Sequence, residues 1–98
     1  MNTQKPKTEA KIQREIIEAL KDSGWLVTKL QSASTNGWPD LIAIKGGHVV
    51  FIEVKRPDGK LSSVQVIRHK IMKAKGAEVY VMHNHLEVQL MEEELGVC

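Results

Sequence analysis

The chain has 98 residues, 42% hydrophobic and 27% charged, which fits one small domain built around one core. No apolar run approaches the roughly 18 residues that would span a membrane. The N-terminal "MNTQKPKTEAK" lacks the apolar stretch of a signal peptide, and the single cysteine, Cys98, excludes an internal disulfide or a cysteine zinc cage. A cytoplasmic setting is the default expectation. The net charge is only +2, but it is unevenly spread. All 14 lysines and arginines fall between Lys5 and Lys75, while Glu87, Glu92, Glu93 and Glu94 crowd the tail. Residues 1–86 are therefore net basic, which suits either a polyanionic partner or an ordinary mixed-charge surface.

There are no repeats or linkers, so residues 1–98 read as one domain with its core over about 8–82, preceded by a polar, frayed segment 1–7. Thr8 is placed to cap a helix reaching Lys21 or Asp22, whose apolar positions Ile12, Ile16, Ile17, Ala19 and Leu20 recur at helical spacing. Gly24 ends it. Trp25–Leu30 reads as a strand, Gln31–Trp38 as a polar loop, and "LIAI" after Pro39-Asp40 as a second strand. Gly46-Gly47 predicts a hairpin turn into a third strand, His48–Lys55. After the turn-rich "RPDGK", Ser62 opens a second helix that ends near Gly76. Its Ser62 and Gln65 form an S-x-x-Q capping box. Ala77–Met82 is a last strand, and a short helix is expected in the tail beyond His85. A helix between two strands implies a crossover, so this α/β chain should carry a mixed sheet flanked by helices, in the order αβββαβ.

The third strand poses a problem. Glu53 and Lys55 sit on one of its faces, about 6.6 Å apart, at the end of a run that otherwise reads as core. A two-residue hairpin brings Asp40, at the start of the preceding strand, beside Glu53. On the first helix Glu9 falls in the middle of the face defined by Ile12, Ile16 and Leu20, with Glu15 at its edge and Glu18 opposite. Carboxylates gathered in this way repel one another. A divalent cation relieves that repulsion, and oxygen ligands with room for water suit Mg²⁺ or Mn²⁺. Together with a lysine and a basic surface, such a cation describes phosphodiester hydrolysis. The bland alternative is a turn aspartate and an exposed cross-strand ion pair.

Pro39-Asp40 followed by Glu53-Val54-Lys55 resembles the PD-(D/E)xK nuclease signature. The longer stretches "TEAKIQREIIEAL", "GWPDLIAIKGG", "FIEVKRPDGKLSSVQ" and "KAKGAEVYVM" resemble the virus-type replication-repair nuclease (VRR-NUC) family over roughly residues 8–82. This resemblance implies a restriction-endonuclease-like core. It implies Asp40, Glu53 and the Val54 carbonyl as metal ligands and Lys55 as catalytic lysine. Glu9 would be the helix acid and Gln65 a glutamine near the site, although the capping box accounts for Gln65 equally well. It further implies a DNA partner, Mg²⁺ or Mn²⁺ as cofactor, and a bacterial or phage source. Junction resolvases of similar fold are dimeric. The resulting expectation is a homodimer resolving four-way junctions, with the first helix or the 31–38 loop as interface. A monomeric flap or nicking nuclease and a non-catalytic DNA-binding module are the alternatives.

Other residues read as less informative. "HNH" (His83–His85) is a tripeptide, not a distributed metal motif. His48 and His69 read as surface residues. Trp25 reads as core, and Trp38 as a candidate for stacking on substrate. Lys5, Lys7, Lys11, Arg14, Arg56, Lys60 and Arg68 could contact phosphates.

Overall fold

The computed structural model describes residues 7–30 and 36–97. Residues 1–6, with Lys5 and the expected frayed start, most of the polar loop, and Cys98 lie outside the described residues. Helix α1 spans Glu9–Asp22, with the Thr8 side chain accepting from the Lys11 backbone N–H as its N-cap. Strands β1 (Leu26–Lys29), β2 (Leu41–Lys45) and β3 (His48–Val54) follow. Helix α2 covers Ser63–Ala74, β4 covers Glu78–Met82, and α3 covers Glu87–Leu95. The observed order is αβββαβα, the tail helix completing the expected series.

The strands lie in the order β1-β2-β3-β4. The first three pair antiparallel, and β4 joins β3 in parallel through the α2 crossover, giving the expected mixed sheet. Gly46 and Gly47 both have positive φ (58° and 83°), as a two-residue hairpin turn with strand-matched twist requires. That turn sets Lys45 opposite His48 and, four pairs on, Leu41 opposite Ile52.

One face of the sheet carries the main core. Ile12, Ile16 and Leu20 of α1, with Val88 and Met91 of α3, pack on Leu41, Ala43, Val50, Ile52, Val54 and Met82. Trp25 belongs to this core, as expected. Leu20 is fully buried. Leu20→Ala should therefore destabilise the fold by about 2–5 kcal/mol, read by urea unfolding. A loss below about 1 kcal/mol would mean that the core relaxes around it. The opposite face is covered by α2 over β3 and β4, while Leu26, Ile44 and Val49 remain exposed at its β1 corner.

A polar network pins α3 to the hairpin side. The Glu92 carboxylate accepts from Ser23 Oγ, Trp25 Nε1 (3.0 Å) and Lys45 Nζ (3.2 Å). Burial alone would raise the Glu92 pKa, but these three donors together outweigh it and hold the carboxyl below its ordinary value.

Candidate active site

The site lies where β2 begins and β3 ends. Asp40 directly precedes β2, and the hairpin register carries it to the level of Glu53 and Val54. There Asp40 Oδ2 accepts from the Val54 backbone N–H at 2.7 Å. Backbone N–H and C=O of one strand residue point the same way, so the Val54 carbonyl faces the edge on which Asp40 sits. Lys55 continues the strand by one bond, its N–H donating to the Met82 carbonyl at 3.0 Å.

Glu53 is the anomaly. It is 1% exposed, one of two buried polar or charged residues among those described. Its pKa is pushed up to about 8, first by burial, then by a hydrogen bond shared with Asp40 and by the Asp40 charge. Lys55 acts in the opposite sense, and Glu9 adds a further push upward. Asp40, Lys55 and Glu9 are thus all close enough to act on one carboxyl.

Gln65 resolves the choice left open by its sequence position. The capping box is complete: Gln65 Oε1 accepts from Ser62 N–H at 2.9 Å, and Ser62 Oγ accepts from Gln65 N–H at 3.1 Å. Because the amide oxygen is held by the cap, its Nε2 is turned toward Glu53 Oε2, 3.3 Å away. One side chain both caps α2 and touches the buried acid.

Three expectations need correction. Glu9 is exposed rather than buried, because it is the first residue of α1 and burial on that face begins one turn later at Ile12. His69 is not a surface residue. It is 5% exposed, and its Nε2 lies 3.4 Å from Glu53 Oε1. The missed signal was its spacing: His69 follows Gln65 by four residues, so the two share one helix face. His48 is half-buried and pairs with Glu78 at 3.1 Å.

Four of the candidate substrate contacts, Trp38, Arg68, Lys7 and Arg56, have partners within the chain. Trp38 packs edge-on against Phe51 (centroids 6.1 Å apart), with the Arg68 guanidinium 5.8 Å over its ring. Gly37 permits this packing: at φ 83° it lies so close to α2 that a Cβ would stand 2.8 Å from the Val64 carbonyl oxygen. Lys7 pairs with Glu15 at 2.8 Å, and Arg56 lies 3.4 Å from Asp58. Among the described residues no three His, Cys, Asp or Glu side chains gather into a ready cation cage. The acids at the centre are two.

The family model for archaeal Holliday junction resolvases (Hjc) matches residues 4–90. The chain belongs to this resolvase family. A solved VRR_NUC domain is 30% identical and superposes with a TM-score of 0.76, covering 87% of this chain and 94% of that one. Hjc from the archaeal hyperthermophile Archaeoglobus fulgidus, a Holliday junction resolvase, is 26% identical with a TM-score of 0.58. That match covers 72% of this chain and 63% of its own. Protein p44 of Acyrthosiphon pisum secondary endosymbiont phage 1, which bears the name of a nuclease, is 29% identical over 75 residues. The alignment spans 76% of this chain and 81% of p44. The chain is thus a VRR-NUC-type nuclease of the Hjc family, with the mixed-sheet fold that its sequence motifs imply.

Proposed function

We propose that this nuclease is a metal-dependent DNA endonuclease whose centre is built by Asp40, Glu53, Lys55 and Gln65, with Glu9 at its rim. The observation that carries the reading is the buried Glu53, forced toward its protonated form beside Asp40. A carboxyl placed so unfavourably is a poor structural device and a good cation ligand.

The residues present fit a divalent ion. Two carboxylates and the Val54 carbonyl make an all-oxygen donor set. Glu53 Oε1 is buried without a hydrogen-bond partner. A set this small suits Mg²⁺ or Mn²⁺, which keep several waters, better than an ion needing a full protein cage. When bound, the ion supplies Lewis-acid polarisation of a phosphodiester and acidifies a water. The protein does the rest. Asp40 is oriented by the Val54 N–H, and Gln65 steadies Glu53. Lys55 presents a positive charge that orients the attacking water and stabilises negative charge developing on the phosphate. Exposed basic residues such as Lys11, Arg14 and Lys60 hold the polyanion.

Branched DNA is the proposed substrate, and a homodimer the proposed working form. Two matched nicks in a four-way junction need two sites, and a C₂ pair supplies them across a nearly two-fold substrate. The Hjc family match and the resolvase relative support this reading. So do the apolar side chains exposed on α2, namely Val64, Ile67 and Ile71, which exceed what a solvated helix face needs. The test is incubation with labelled four-way, flapped, single-stranded and duplex DNA in Mg²⁺ or Mn²⁺, with sedimentation equilibrium in parallel. Paired cuts on opposite junction strands by a species of twice the chain mass are expected. A strict monomer that cuts only flaps or nicks duplex contradicts the dimeric form.

Two substitutions grade the supporting residues. Gln65→Glu keeps the cap acceptor but replaces the donor facing Glu53 with a second acid. It should cost about tenfold or more in cleavage while the α2 helix signal in circular dichroism persists. Unaltered cleavage would leave Gln65 as a cap alone. Glu9→Gln should lower cleavage more than Glu18→Gln, because only the Glu9 charge reaches Glu53. Its exposed position limits the effect to a few-fold. Equal effects in single-turnover assays would remove Glu9 from the site.

A further inference from the structure

Two buried polar atoms face each other without a hydrogen-bond partner: Glu53 Oε1 and His69 Nε2, 3.4 Å apart. Both residues are more than nine-tenths buried. Atoms of this kind are rarely left unpaired in a native interior, because neither can turn to water. His69 Nε2 is the unpaired donor atom that stands beside Glu53 Oε1. Glu53 Oε2 is taken by Gln65, and Gln65 is itself clamped by the Ser62 cap. Gln65 and His69 stand one helical turn apart on α2, so both reach Glu53 from the same helix face.

We propose that His69 is a positioning residue of the metal centre: donating from Nε2 to Glu53 Oε1, it works with Gln65 on Oε2 to hold the carboxylate plane in one orientation. This rests on the metal-dependent reading above and deepens it. The imidazole suits the role. An uncharged ring with its proton on Nε2 can donate to an ionised Glu53 without neutralising it. Without the second tether the carboxylate would turn about its last side-chain bond. Turning would cost affinity for the ion before it touched the chemistry. Partners that orient a metal ligand in this way typically account for 10–100-fold in metal affinity.

The experiment compares wild type, His69→Met and His69→Gln by calorimetric titration with Mg²⁺ alone, each first melted in chelator. Met keeps much of the side-chain volume without a donor, and Gln restores an N–H near the position of Nε2. His69→Met should bind Mg²⁺ 10–100-fold more weakly, and His69→Gln should recover most of that loss. A packing role would lower both metal-free melting temperatures and leave the affinities alike. Independently, long-range proton–nitrogen NMR of Mg²⁺-saturated wild type should place the ring proton of His69 on Nε2. Wild-type affinity in His69→Met, or a proton on Nδ1, overturns the proposal. The NMR result and the Gln variant decide it should the Met variant fail to fold. If wild type itself takes up no Mg²⁺, the metal-dependent reading fails and this one with it. If wild type binds and His69→Met matches it, only the role of His69 falls.

Discussion

Lys55→Ala should reduce single-turnover cleavage of branched DNA by at least about 100-fold, the usual cost of removing one group that stabilises transition-state charge. Asp40→Asn and Glu53→Gln should lose as much or more. The fold should survive all three. Lys55 lies just past the last residue of β3, and its backbone bond to Met82 does not depend on its side chain. Asp40→Asn retains an oxygen that can accept from the Val54 N–H. Glu53→Gln replaces an acid that burial already drives toward its neutral form. DNA affinity should persist in Lys55→Ala, because phosphate contacts spread over the basic surface supply it. A Lys55→Ala protein cutting near the wild-type rate would remove Lys55 from the chemistry. Loss of binding together with cutting would make it a substrate contact instead.

The second large effect is in the pH dependence, and Glu53 sets its sign. Its pKa rises from an ordinary 4.5 to about 8 in the folded, metal-free protein. Between those values the folded state holds a proton that the unfolded chain has released. The contribution of Glu53 to stability is therefore complete below about pH 4.5 and is lost as pH rises toward 8. Thermal melts in chelator should show stability falling over that window in wild type, and a flatter profile in Glu53→Gln. Mg²⁺ requires the ionised carboxyl, so its apparent affinity should climb with pH up to about 8, by as much as tenfold per unit. Glu92 works in the opposite sense and at lower pH: its lowered pKa stabilises the fold above the ordinary carboxyl value and is lost on acidification. The difference between wild type and Glu53→Gln isolates the first effect. Identical profiles for the two proteins would show that Glu53 meets no unusual environment.

The elements that position the site were legible because each is set by local chemistry. Thr8 and the Ser62–Gln65 box fix two helix starts, Gly46-Gly47 fixes the hairpin, and the hairpin register alone brings Asp40 to Glu53. What escaped the sequence depends on packing between distant elements. Helical phase placed Glu9 correctly on the face of Ile12, but it could not reveal that the first turn stays exposed. His69 lies among basic and apolar residues that look like surface, and its burial follows only from how α2 crosses β3 and β4. Glu92 reads as one of several tail acids, yet it joins Ser23, Trp25 and Lys45, which lie 69, 67 and 47 residues away.

Asp40, Glu53 and the Val54 carbonyl are the proposed ligands of the divalent ion. Anomalous diffraction from crystals grown with Mn²⁺ at about pH 8 tests this assignment most directly. One strong peak ligated by those three groups at about 2.1 Å, with water completing the shell, is expected, and it should disappear in Asp40→Asn. A peak seated elsewhere, or one that persists unchanged in Asp40→Asn, would contradict it.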